Sequence, residues 1–141
     1  MGARRVARER ALQALYQVEQ NAAVTSADAL EAAWSASDDE GGREPAAHTF
    51  ALELIEGVRT RLAELDALIE THSHNWRIDR MQRVDRNVLR LGAFELKHRD
   101  DIPRKVTLNE AIELAKKFGT EESAAFINGL LDRLAASVNK P

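Results

Sequence analysis

The chain has 141 residues, a formal net charge of −3 and a sequence pI near 5.8, so any affinity for a polyanion must come from local clusters of charge rather than from overall basicity. It has no cysteine, which excludes disulfides and thiolate metal sites and fits a reducing compartment. No apolar run approaches the roughly 18 to 20 residues that span a bilayer, and no apolar signal core follows the charged start, so the expectation is a soluble cytoplasmic protein of one domain, residues 1–141.

Residues 4–20 read as a helix, with Ala7, Ala11, Ala14, Leu15 and Val18 at helical spacing and no Pro or Gly among them. Its first turns hold Arg4, Arg5, Arg8 and Arg10 against Glu9 alone. At about 100° per residue, Arg5, Arg8, Leu12 and Tyr16 share a flank and Arg10 points away from it. Cations in a first turn oppose the helix dipole by a few tenths of a kcal/mol each. With no local benefit legible in the sequence, they read either as a solvated end or as a docking edge for a polyanion. A short helix follows from an N-cap at Ser26 through Leu30 to Trp34. The segment Ser35 to Pro45 is polar and Gly-rich and reads as a surface loop.

From Ala46 to Thr71, Phe50, Leu54, Val58, Leu62, Leu65 and Ile69 predict one long amphipathic helix containing Gly57. Residues 72–82, "HSHNWRIDRMQ", predict a connection with one helical turn. Val84, Val88, Leu91 and Leu96 mark a helix ending before "RDDIP", because the residue before Pro103 is forced out of the helical region. Thr107 with Glu110 reads as a capping box. Leu108, Ala111, Ile112, Ala115 and Phe118 form the expected buried stripe behind it, and Gly119 closes the helix. Thr120 is the expected cap of a final helix whose Ala124, Ile127, Leu131 and Leu134 face inward. No segment alternates with period two, so the fold class is all-α.

Catalytic chemistry finds little support. His72 and His74 are two apart, which on a helix points the rings to different faces, and they read as solvated loop histidines rather than metal ligands. Glu121 and Glu122 are adjacent in a first turn and read as dipole partners. No HExxH, GxSxG or phosphate-cradling glycine loop is present. The expectation is a non-enzymatic protein with no cofactor and no metal. A second basic stretch, residues 76–105, has nine cations against five acids at spacings that allow i,i+3 and i,i+4 pairing, and reads mainly as a salt-bridged face. Trp34 and Trp76 read as core anchors. Seven aromatics in the whole chain are too few for a broad base-stacking surface.

Two stretches carry a family resemblance: "RRVARERALQALY" (4–16) and "VLRLGAFELKHRDDIPRKVTLNEAIELAKKFGTEESAAFINGLLDRLA" (88–135). Together they resemble the NusB family of bacterial transcription antitermination factors, most specifically in "NEAIELAKKFG" followed by "FINGLLD". The resemblance implies about seven helices in two roughly perpendicular three-helix bundles. It also implies binding of single-stranded boxA leader RNA of ribosomal RNA operons together with the ribosomal protein NusE, in a larger complex with NusA, NusG and RNA polymerase. On the matching positions it implies RNA contacts at Arg4, Arg5, Arg8, Arg10, Lys116, Lys117, Glu122 and Phe126. The implied NusE side is Tyr16, Asp79 and Asp85, the two aspartates being shorter than the glutamates usual in the family. Some relatives self-associate, so a homodimer is a further expectation. The same module forms the N-terminal part of a ribosomal RNA cytosine methyltransferase, which leaves a stand-alone RNA-binding module as the alternative reading. A small RNA-processing enzyme using His72 or His74, and a helical adaptor gripping an acidic protein, are the competing classes.

Overall fold

The computed structural model describes residues 2–37, 44–74 and 76–141. Among the described residues there are seven α-helices, one 3-10 turn and no strand. They are α1 (Ala3–Gln20), α2 (Ser26–Ser35), α3 (Pro45–Thr60), α4 (Leu62–Thr71), α5 (Arg83–His98), α6 (Arg104–Phe118) and α7 (Ser123–Ser137), with the 3-10 turn at Ile78–Arg80. Most of the expected Ser35 to Pro45 loop, residues 38–43, lies outside the described residues.

The helices fall into two compact units, Met1–Thr60 and Arg61–Pro141. The expected single helix from Ala46 to Thr71 is thus two helices. Its break falls at Arg61, whose φ of −120° and ψ of 24° leave the helical region. The Thr60 hydroxyl donates to the Glu56 carbonyl at 2.8 Å, a back-bond of the kind that competes with the helix ladder. Apolar spacing runs on through the break because each helix buries a stripe of its own, so spacing alone does not reveal it.

In the first unit, α1 packs on α2 and α3. Its buried face is wider than the stripe expected, with Val6 and Leu12 joining Ala7, Ala11, Ala14, Leu15 and Val18. Small alanines let the neighbouring backbones approach, and the branched residues fill the space between them. The cap of α2 is Thr25 rather than Ser26; its side chain accepts from the Asp28 amide at 3.1 Å, and Ser26 is a buried residue that accepts from Arg59. Arg59 also donates to the carbonyls of Ala22 and Val24, closing the α1–α2 turn against α3.

In the second unit, α5 packs against α4, α6 and α7, and every residue from Asn87 to Leu96 is buried. Within this core Arg90 makes a two-pronged contact with Asp66 of α4, Nε at 2.8 Å and Nη2 at 3.0 Å, and donates from Nη1 to Asn87 Oδ1 at 3.1 Å. A few residues further on, His98 Nε2 lies 2.6 Å from Glu64 Oε1, and this contact holds the Glu64 carboxyl below its ordinary range.

Helix α6 starts at Arg104, three residues before the expected capping box. Thr107 is therefore interior and buried, and its hydroxyl donates to Glu95 Oε1 at 2.8 Å instead of capping. The buried face rotates accordingly to Thr107, Ala111, Leu114 and Ala115, leaving Leu108, Ile112 and Phe118 half-buried. A Thr followed three residues later by Glu marks a helix start only where the chain enters there, and Pro103, with its fixed φ, had already supplied the entry.

Gly119 ends α6 as expected, but in extended backbone rather than left-handed (φ −103°). A Cβ there would meet Ser123 Oγ at 2.6 Å and the Ala115 carbonyl at 2.8 Å. Thr120 is not the cap of α7: the helix begins at Ser123, whose buried hydroxyl accepts from the Thr120 amide at 3.0 Å. Ile127, Leu131 and Leu134 face inward and Ala124 is half-buried. The tail then folds back: the Lys140 ammonium donates to the carbonyls of Glu95 and Arg99, placing a cation at the C-terminal end of α5.

Gly92 of α5 packs directly against Leu131 of α7. A Cβ built on it would lie 2.7 Å from Leu131 Cδ1, the free end of a flexible side chain. Gly92→Ala should therefore stay within about 1 kcal/mol of wild type, helix propensity offsetting a small shift of Leu131. Gly92→Val should lose about 2 kcal/mol by overpacking, read as a lower urea midpoint at unchanged m-value. Equal midpoints for the two variants would show that the approach is not tight.

Candidate nucleic-acid interface

Burial divides the four N-terminal arginines. Arg4 is exposed and Arg5 half-buried, whereas Arg8 and Arg10 are each 4 % exposed. Helix α1 begins at Ala3 with no acidic residue in its first turn. The absence of a local benefit, which the sequence suggested, does not hold. The guanidinium carbon of Arg4 lies 4.3 Å from the centre of the Phe50 ring of α3, and that of Arg8 lies 5.1 Å from the same centre. On another side of the helix Arg10 donates to Gln13 Oε1 at 3.1 Å and Ser37 Oγ at 2.6 Å, with Glu9 Oε1 3.8 Å away. Stacking on a ring and pairing with buried acceptors compensate cations that the dipole disfavours. The flank of Arg5, Arg8, Leu12 and Tyr16 is thus largely covered, with Leu12 fully buried and Tyr16 half-buried.

A cavity of about 360 Å³ opens beside Arg4. Thr49, Phe50 and Glu53 of α3 are among the residues that line it.

The other sequence-predicted residues lie in the second unit. A groove of about 430 Å³ brings Glu122, the residue before α7, and Phe126 of α7 together with Asp85 of α5. Its remaining wall is Trp76, Arg80, Met81 and Gln82 from the connection before α5, with Thr120 and Ser123. That connection is held in place by its own backbone contacts. Arg133 Nη2 donates to the His72 carbonyl at 2.8 Å, the Ile78 amide donates to Glu70 Oε2 at 2.7 Å, and the Ser73 hydroxyl sits between the carbonyls of Glu70 and Trp76. Trp76 is 56 % exposed and is not the core anchor the sequence suggested; Trp34, at 2 %, is. A tryptophan in a connection has no helical register to reveal which way it points.

Asp85 sits in the first turn of α5, where a carboxylate complements the dipole. Its Oδ1 is buried and has no hydrogen-bond partner among the described residues. Asp79 does not line the groove; it pairs with Arg77 at 3.2 Å in the open. Lys116 and Lys117, in the last turn of α6, are also outside the groove, exposed, with Lys117 Nζ 5.6 Å over the Phe118 ring and Lys116 Nζ 4.0 Å from Glu113. Sequence reasoning missed Phe50, which carries two arginines, and the groove contributions of Trp76, Arg80 and Met81. Nothing in the spacing of Phe50 separates it from the other core residues of α3.

No group of three histidines, aspartates or glutamates that could hold a metal ion occurs among the described residues. Nor is any described helix long and apolar enough to cross a membrane.

The sequence profile of the NusB family matches residues 5–136, which takes in α1 from Arg5 onward, the groove and almost all of α7. The chain belongs to the NusB family. It is 66 % identical over 141 residues to the transcription antitermination protein NusB of Myxococcus xanthus, with all of both chains covered. It is 49 % identical to that of Sorangium cellulosum, covering 99 % of this chain and 96 % of the relative. Among solved structures, a NusB from T. maritima superposes with a TM-score of 0.83 at 38 % identity, covering 94 % of this chain and 90 % of the other. A NusB-family chain in a solved complex of the antitermination factors NusB and NusE with double-stranded RNA gives 0.83 at 25 % identity, with 96 % and 97 % covered. NusB membership makes this chain an antitermination factor and not an enzyme.

Proposed function

We propose that this protein binds boxA-type single-stranded leader RNA together with NusE and promotes processive transcription of ribosomal RNA operons in the cytoplasm, in a complex with NusA, NusG and RNA polymerase. The observation that carries the reading is the exposed Arg4, stacked on Phe50 at the start of a helix with no acid in its first turn, with Arg5 beside it. A guanidinium stacked over a ring directs its N–H groups sideways, in a plane parallel to the ring, the geometry that suits contact with phosphate oxygens. Arg4 and Arg5 form the docking edge, and Arg8 and Arg10 support it from within. Glu122 and Phe126 take unstacked bases at the groove, with Lys116 and Lys117 adding phosphate contacts; single strands expose the base edges that duplex RNA hides. Tyr16, Asp79 and Asp85 form the NusE side.

The test is a titration of labelled boxA RNA with and without NusE, with a duplex of the same sequence as the control arm. NusE should tighten single-strand binding, and equal affinity for strand and duplex would remove the single-strand reading. Tyr16→Ala separates the two sides. It should weaken NusE binding about tenfold, the loss of one aromatic interface anchor, while leaving the RNA affinity of the free protein within about twofold. Equal losses in both would show that one surface has been divided wrongly.

A further inference from the structure

We propose that Phe50 is a positioning residue for RNA: its ring fixes the guanidinium of Arg4 in the orientation that meets the phosphate backbone. The inference rests on the RNA reading above and goes beyond it by assigning a role to a residue that never touches the ligand. Phe50 is 3 % exposed, held on α3 among the core residues Ala47, Ala51 and Leu54. Two arginines of α1, one turn apart, lie over its ring: Arg8, buried, at 5.1 Å, and Arg4, exposed, at 4.3 Å. The ring and Arg8 cannot shift without disturbing the core, so Arg4 stacks on a rigid base.

An arginine on a helix end otherwise samples many rotamers, and a ligand that orders it opposes that entropy on binding. Stacking settles the orientation beforehand. The effect on affinity comes from preorganisation, because Phe50 lies beneath the guanidinium and makes no ligand contact of its own.

The test compares Phe50→Leu, Phe50→Tyr, Arg4→Ala and the Phe50→Leu/Arg4→Ala double variant in binding to a fluorescent single-stranded boxA RNA. Phe50→Leu keeps apolar bulk but removes the ring's electrostatic face and should weaken RNA binding about fivefold, the effect of one partly desolvated cation–π contact. Phe50→Tyr restores a ring and should bind within about twofold of wild type. Arg4→Ala should weaken binding about tenfold, and adding Phe50→Leu to it should cost nothing more, because the ring then has no exposed arginine to orient. The upfield ring-current shift of the Arg4 Hδ protons in the free protein should vanish in Phe50→Leu and persist in Phe50→Tyr.

Losses that multiply in the double variant, or a Phe50→Tyr as weak as Phe50→Leu, would overturn the positioning role and leave Phe50 as a core residue. If Arg4→Ala weakens RNA binding and Phe50→Leu does not, the Phe50 proposal falls alone. If Arg4→Ala leaves RNA affinity unchanged, the arginine edge falls first and takes the Phe50 role with it.

Discussion

Alanine at both Arg4 and Arg5 should lower affinity for single-stranded boxA RNA about 100-fold in low salt. Each charge-assisted contact is worth about 1.5 kcal/mol or more, and every 1.4 kcal/mol is tenfold. The loss should shrink as salt rises, because each phosphate contact to a single strand contributes about −0.7 to the log-log salt slope, so the double variant should be flatter than wild type by about 1.4. Four outward arginines would together contribute a slope of about −3. With Arg8 and Arg10 each 4 % exposed, the proposed edge is expected to make two phosphate contacts and not four. Titration of wild type, the Arg4/Arg5 variant and an Arg8→Met variant at several salt concentrations decides the point. An unchanged slope in the Arg4/Arg5 variant would end the docking-edge reading, and a slope change in Arg8→Met would show that the buried arginine reaches the RNA.

Asp66→Ala should destabilise the protein by about 3 kcal/mol, the size expected when one partner leaves a buried, two-pronged ion pair. The Arg90 side chain is 10 % exposed, so water does not replace the lost carboxylate well. Asn87 Oδ1 still accepts from Nη1 and keeps the loss from being larger. For a chain of this size the thermal midpoint should fall by about 10 °C. An Asp66→Leu/Arg90→Met double variant should lose less than Asp66→Ala, because it removes both charges and fills their volume. If the double variant lost the sum of the two single effects, the pair would carry no coupling energy. RNA affinity should be unchanged throughout, since neither residue borders the arginine edge or the groove.

The sequence displays fold class and most core faces well, because the 3.6-residue spacing of Ala7, Ala11 and Ala14, or of Ile127, Leu131 and Leu134, directly reflects burial. It hides the break at Arg61, since the apolar spacing runs through it and the Thr60 back-bond leaves no pattern. It misleads at Thr107, where residues with capping chemistry serve a buried hydrogen bond to Glu95 instead. The site was legible as a set of charges but not as a geometry. Four arginines in ten residues announce a basic cluster, yet which of them faces water depends on Phe50 and Ser37, which lie 46 residues from Arg4 and 27 from Arg10. Family resemblance located Asp85, Glu122 and Phe126 individually, and only the fold brings them to one groove with Trp76.

The Lys140 contact also bears on how the chain is made. It joins residues 41 apart, with all of α6 and α7 in the loop that it closes. During synthesis α5 is therefore left without that ammonium at its C-terminal carbonyls until residues 139–141 have emerged from the ribosome. The helices α1 to α3 pack among themselves within residues 3–60. The arginine end of the molecule can thus take shape on a nascent chain whose other unit is still being built.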